Sequence, residues 1–301
     1  MLAFDATISP KSRFGINLRK NLRAVKKRAL VIWLFLVMDG IAFGTTPLLR
    51  PGRHFAVDLY IIYGKKSAYC LEPMFESPNF EIATVLTSIS IAFCVYIMVN
   101  GAACFIVIFG YIEVQILTIS TEVTNLWEDS QNFYNYMKDD KQDEIHTKEE
   151  IINEYIRIRL RKIIDYHVTN INLFREINNE FCNTVAIEYG IMCVAIVAEL
   201  LGGLEHTYLQ VSFSVVLILI DCLSGQKLID ACNTFEEALY SCQWENFSAN
   251  NQRSIYLMLL MTQKTLKVSA GGIASLDFNC LMIIFKFSYS AYTTLKSRIQ
   301  H

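Results

Sequence analysis

The 301-residue chain reads as all-α, a polytopic membrane helix bundle with long cytosolic helices. Three observations predict this. Hydrophobic residues make up 53% and charged residues 19%, with a positive mean hydropathy, which leaves too little polar surface for an ordinary soluble domain. Five apolar stretches, near 29–49, 82–112, 181–203, 207–224 and 268–292, approach or exceed the about 20 residues that a span requires. All five prolines precede the second stretch and no glycine falls between Tyr111 and Tyr189, so the segment joining the second and third stretches carries no strong helix breaker.

Residues 1–28 are polar, with no apolar core before Lys11, and are no secretory signal peptide. Eight Lys or Arg residues lie between Lys11 and Arg28, against four between Arg50 and Lys66, which places the amino terminus in the cytosol. Residues 29–112 then hold the first two spans with an outer loop at 50–81. The second stretch is uncharged from Ile82 to Ile112, longer than one span, so it tilts or runs on past the bilayer.

Residues 113–180 form a cytosolic helical loop. Within it Ile152, Ile156, Leu160, Ile163, His167, Ile171, Phe174 and Phe181 recur mostly at three or four residues, with Arg157, Arg159, Arg161 and Lys162 largely opposite. That pattern predicts one long amphipathic helix running into the third span. The charge-rich stretch from Lys138 to Glu150 reads as a link. Residues 181–224 supply two spans around a turn at 202–210 that lacks Lys and Arg, as an outer turn should. A cytosolic region at 225–267 precedes the last span and an outer carboxyl terminus at 268–301.

Charges interrupt four of the five stretches: Asp39 in the first, Glu188 and Glu199 in the third, Asp221 ending the fourth, Asp277 and Lys286 in the fifth. A central charge costs about 2.5 to 3.5 kcal/mol on insertion scales, whereas each Leu, Ile, Phe or Val returns only about 0.3 to 0.6 kcal/mol. Such helices are tolerated when the charged face looks into a bundle or a wet cavity.

The chain carries no phosphate-binding glycine loop, no paired-cysteine zinc spacing, no His-Glu-x-x-His and no nucleophile elbow. The five histidines are far apart in sequence and expected topology. No enzyme, catalytic residue, metal site or cofactor is expected. The net charge of −2 argues against a nucleic-acid partner. Of nine cysteines, only Cys70 falls in the expected outer loop, so the set reads as small core residues rather than a disulfide framework. The sequon Asn246-Phe247-Ser248 lies in an expected cytosolic region, where it is inert.

Asp277 and Lys286 are nine residues apart, so on one helix they point to opposite faces about 13 Å apart along the axis. Lys286 then snorkels or pairs with another helix, or the helix packs around a wet axis. The tail Ser288, Tyr289, Ser290, Tyr292, Thr293 and Thr294 is too polar for lipid contact on any face and has the makings of a pore wall. Upstream, the stretch from Phe247 to Lys267 has apolar residues at helical spacing bracketed by Arg253, Lys264 and Lys267, an amphipathic helix at an interface.

Taken in order, Tyr240 and Trp244, Arg253, Gln263-Lys264, Ala270-Gly271-Gly272, Lys286 within an apolar run, Ser288-Tyr289-Ser290 and Leu295-Lys296 resemble the carboxyl-terminal signature of the insect odorant receptors. Thr265 stands where that family usually has proline. The resemblance implies an anchor helix where subunits meet in the cytosol, with Tyr240, Trp244, Arg253 and Gln263 as anchor residues. It implies a bend at Ala270-Gly271-Gly272 and a pore helix lined by Tyr289, Ser290, Thr293 and Thr294. It further implies an odorant-gated, non-selective cation channel in olfactory sensory neurons, built as a hetero-tetramer with a shared co-receptor.

The resemblance also implies a closed apolar pocket for a volatile ligand, formed by outer-half residues: Phe35, Met38 and Phe43, then Leu86, Ile89 and Phe93, then Tyr208, Val211 and Phe213. Such residues otherwise serve as lipid contact or packing. His167 resembles a recurrent histidine of the family's inner helix. The family has seven spans and five are read here; both numbers are odd, so the topology is preserved, and the expectation is a product truncated at its amino terminus. A gustatory-type channel, a carrier or a membrane scaffold is the alternative.

Overall fold

The computed structural model describes residues 12–45, 77–140, 147–272 and 274–299. Most of the expected outer loop, with Cys70, and residues 141–146 of the expected link lie outside them. The described helices are α1 (Arg13–Gly44), α2 (Asn79–Thr124), α3 (Leu126–Asp140), α4 (Lys148–Leu201), α5 (Leu204–Ser241), α6 (Ala249–Thr262) and α7 (Phe278–Ile299), with a 3-10 turn at Trp244–Asn246. Two two-residue strands, β1 (Ser269–Ala270) and β2 (Ala274–Ser275), pair antiparallel with Ser269 opposite Ser275 and Ala270 opposite Ala274.

Among the described residues, three helices are long and apolar enough to cross a membrane: α2, α4, and α5 from Thr207. The first and last of the five expected spans fall in α1 and α7, which carry charge within or beside their apolar stretches. The 46 residues of α2 extend about 70 Å at 1.5 Å per residue, and the 54 of α4 about 80 Å. Both therefore run on well beyond a 30 Å hydrocarbon layer, as the uncharged length of one and the amphipathic repeat of the other predict.

The chain divides into two compact units whose boundaries fall inside the long helices. The first takes in the described residues of Met1–Lys26, Val107–Gly190 and Asp221–Ile283. In it Ile152, Ile156, Leu160, Ile163, His167, Ile171 and Phe174 are all buried along α4, while Arg157, Arg161 and Lys162 are exposed. An ion cluster ties four helices together. Arg13 of α1 donates from Nε to Glu122 of α2 at 3.0 Å and from Nη1 to Asp129 of α3 at 2.9 Å. Arg159 of α4 donates to the other Glu122 oxygen at 2.7 Å. Both carboxylates hold the Arg13 guanidinium further toward its charged form.

The start of α6 is fastened to α4 by Ser248 N–H donating to Asn153 Oδ1 at 2.7 Å and Asn251 Nδ2 donating to the Asn153 carbonyl at 3.0 Å. The Ala-Gly-Gly sequence forms a hairpin turn rather than a bend in a continuous helix. Gly271 and Gly272 have φ of 63° and 70°, a region that favours glycine and stops a helix. Gly271 N–H donates to the Cys182 carbonyl of α4 at 2.9 Å, and Ser269 N–H to Asn178 Oδ1 at 2.8 Å.

Asp277 is not a residue of the last helix but the cap before it: its Oδ1 accepts from Cys280 N–H at 2.9 Å and its Oδ2 from the Ser275 hydroxyl at 3.0 Å. A carboxylate suits the positive end of a helix. That placement removes the opposed pair expected of Asp277 and Lys286, and α7 starts at Phe278 rather than near 268.

The second unit takes in the described residues of Lys27–Ile106, Ile191–Ile220 and Ile284–His301. Here α1 and α2 approach closely at Gly40, where an added Cβ would lie 2.6 Å from Val95 Cγ1. Gly203, at φ 89°, turns the chain from α4 into α5, and the Thr207 hydroxyl closes the turn by donating to the Glu199 carbonyl at 2.8 Å.

Candidate functional site

The second unit holds a partly open cavity of about 390 Å³ bounded by α1, α2, α4 and α5. Its walls on α2 are Thr87, Ser90, Ile91, Cys94 and Val95, the spacing of a single helix face. Phe43, Leu209 and Phe213 supply much of the apolar lining, and Asp39 and Glu199 are its two charged groups. Each carboxylate is held by a serine of α5: Asp39 Oδ1 accepts from Ser212 at 3.4 Å, and Glu199 Oε1 from Ser214 at 3.2 Å. The remaining oxygens, Asp39 Oδ2 and Glu199 Oε2, are enclosed without a hydrogen-bond donor. This arrangement can hold a small, largely apolar molecule and offers it acceptors.

Of the nine residues expected to meet a ligand, Phe43 and Phe213 line this cavity. Phe35, Met38, Leu86, Ile89, Phe93 and Tyr208 are instead exposed on the chain, and Val211 is half-buried on another face of α5. The displacement is systematic. Leu86, Ile89 and Phe93 each stand one residue before Thr87, Ser90 and Cys94 of the cavity wall, a rotation of about 100° around α2. Choosing the most apolar residues selects the faces suited to lipid, because a membrane helix turns its less apolar side inward. The signal that locates the cavity is polar: Asp39 and Glu199, the charges interrupting the first and third apolar stretches, both point to it.

On α7, Cys280, Ile284 and Ser288 are buried at a spacing of four residues. Tyr289, Ser290, Thr293 and Thr294 are exposed. The hydroxyls of Thr293 and Thr294 both donate to the Ser290 carbonyl at 2.9 Å, which satisfies them within the helix and leaves a polar outer face. Among the expected anchor residues, Tyr240, Arg253 and Gln263 are exposed and Trp244 is half-buried in the 3-10 turn. Tyr256, Leu257, Leu260 and Met261 of α6 are also exposed, an apolar face that the sequence pattern alone does not single out.

His167 lies in the first unit, before the third apolar stretch. Its ring sits 4.7 Å from that of Phe235, and neither ring nitrogen has a hydrogen-bond partner. Burial pushes its pKa down to about 4. It is a packed neutral imidazole.

No curated protein matches the chain in sequence. In architecture the chain is similar to the insect olfactory receptor OR5 from Machilis hrabei. The structure of that receptor in complex with eugenol gives a TM-score of 0.68 at 12% identity, covering 93% of this chain and 68% of that one. A second structure of the same receptor gives 0.65 at 12% identity over the same shares. At this identity the likeness is one of fold. The membrane-length helices, the cavity among them and the start of the last helix all fall within residues 4–289, which match the family model of the 7tm Odorant receptor; the chain is a multi-pass membrane protein of that family.

Proposed function

We propose that the chain is an odorant-binding subunit of a non-selective cation channel, assembled with a shared co-receptor subunit as a hetero-tetramer in the plasma membrane of olfactory sensory neurons. The observation that carries this reading is the cavity of about 390 Å³ framed by α1, α2, α4 and α5. Its size falls within the range for small-molecule sites, and apolar walls with a few polar anchors recognise a ligand by shape and dispersion. The solved olfactory receptor of the same fold was captured with eugenol, a small volatile of the class such a cavity fits. Ligand contacts are assigned to Phe43 together with Ile91, Leu209 and Phe213, which share the cavity wall.

The outer face of α7, with Tyr289, Ser290, Thr293 and Thr294 exposed, is assigned to the pore. A hydroxyl-lined face without a fixed charge lacks the strong field that would favour one cation over another. The exposed apolar face of α6, with Arg253 and Gln263 beside it, is assigned to contact between subunits. The amino terminus is cytosolic and the carboxyl terminus extracellular on the distribution of Lys and Arg.

The test is a recording from cells that express the chain with the co-receptor, challenged with a panel of volatiles. A cation current evoked by at least one volatile, absent from cells with the co-receptor alone, is expected. Silence across the panel with the chain present at the cell surface overturns the reading.

A further inference from the structure

Resting on the cavity as the ligand site, we infer that it selects small amines, held as ammonium ions by Asp39 and Glu199, over volatiles of the same size that only accept hydrogen bonds. The cavity wall carries two carboxylates and, among its described lining residues, no Lys, Arg or His. Each carboxylate receives one serine hydroxyl and has an oxygen enclosed without a donor. Rotation of a carboxylate about its last torsion exchanges its two oxygens, so either can be turned toward a ligand.

Ionised carboxylates accept hydrogen bonds and do not donate them, whereas an ammonium group brings three N–H donors and a positive charge. In surroundings where charges are otherwise tolerated only when paired, such a ligand supplies the counter-charge that the wall lacks. A ketone, ester or ether brings no charge to offset either carboxylate, and the Ser90 and Ser214 hydroxyls beside it already donate to Leu86 and Glu199. The apolar remainder of the ligand meets Phe43, Ile91 and Phe213 on the same wall, so a short aliphatic or aromatic tail completes the class.

The experiment titrates n-hexylamine and methyl pentyl ether, equal in non-hydrogen atoms, against the full chain in phosphatidylcholine nanodiscs, reading the ligand-induced rise in melting temperature. The cavity-filling variant Ile91→Trp subtracts partition into lipid. The amine is expected to act at a concentration at least tenfold lower than the ether. The variants Asp39→Asn and Glu199→Gln, close in shape, are expected to bring the two compounds within about twofold while keeping the ether response. If a variant does not fold, the wild-type ratio decides alone. An ether that matches or exceeds the amine, or an amine preference that survives both substitutions, overturns the inference and leaves the cavity reading standing. Neither compound acting on the wild type overturns both, whereas amine binding without a current in co-expressing cells sustains the inference and counts against the channel.

Discussion

At the scale of single residues, the first unit holds two kinds of buried polar group. Glu122, whose side chain is 7% exposed, is matched by Arg13 and Arg159, so its charge is compensated and it fastens helices. His167 is buried without a hydrogen-bond partner and remains neutral. With a folded-state pKa of about 4 against an ordinary 6.5, the unfolded chain binds more protons than the folded one between those pH values. The histidine's contribution is therefore complete above pH 6.5 and is lost as pH falls toward 4, by about 3 kcal/mol in all. Thermal melts of the wild type and His167→Leu across that window should diverge, the wild type losing more stability on acidification. Parallel curves would show that the imidazole is solvated.

Elements were legible where one face differs chemically from the other. The α4 repeat from Ile152 to Phe174, set against Arg157, Arg161 and Lys162, marks its buried side correctly over more than six turns. By contrast α2 is apolar on every side, so its sequence states that it spans but not which face turns inward, and Leu86, Ile89 and Phe93 lie a residue away from the cavity wall. Ala270-Gly271-Gly272 marks a break in the sequence, but it reads as a bend within one helix, whereas the positive φ of both glycines ends the chain's run in a hairpin before α7. What composition hid is that Asp277 serves as a cap, since a carboxylate within an apolar stretch and one at its edge differ only by where the helix begins.

Close approach is equally invisible without partners in view. Gly225 of α5 lies against Leu276, where an added Cβ would strike the carbonyl and come within 2.9 Å of the Leu276 Cβ, whereas a Cβ at Gly190 meets nothing within 4 Å. Gly225→Ala should lower stability by about 1 to 3 kcal/mol. Gly190→Ala should leave it unchanged or raised by up to about 1 kcal/mol. Melting temperatures in detergent check the pair, and equal effects at the two positions would mean that the α5 contact with Leu276 is loose.

At the scale of the whole molecule, membership of the odorant receptor family was carried by an ordered set of residues near the carboxyl terminus, and the fold by apolar lengths. The cavity wall was not legible in the same way, because it is assembled from four helices and has no motif. Its trace in the sequence was the cost of keeping Asp39 and Glu199 within apolar stretches. The account therefore depends on that cavity being where a volatile acts. The most direct measurement is the concentration dependence of the volatile-evoked current in cells co-expressing the co-receptor with either the wild type or Ile91→Trp, which fills the cavity from α2. The wild type is expected to respond and the variant, at equal surface expression, to need at least tenfold more volatile or to fall silent; overlapping curves would place the ligand elsewhere.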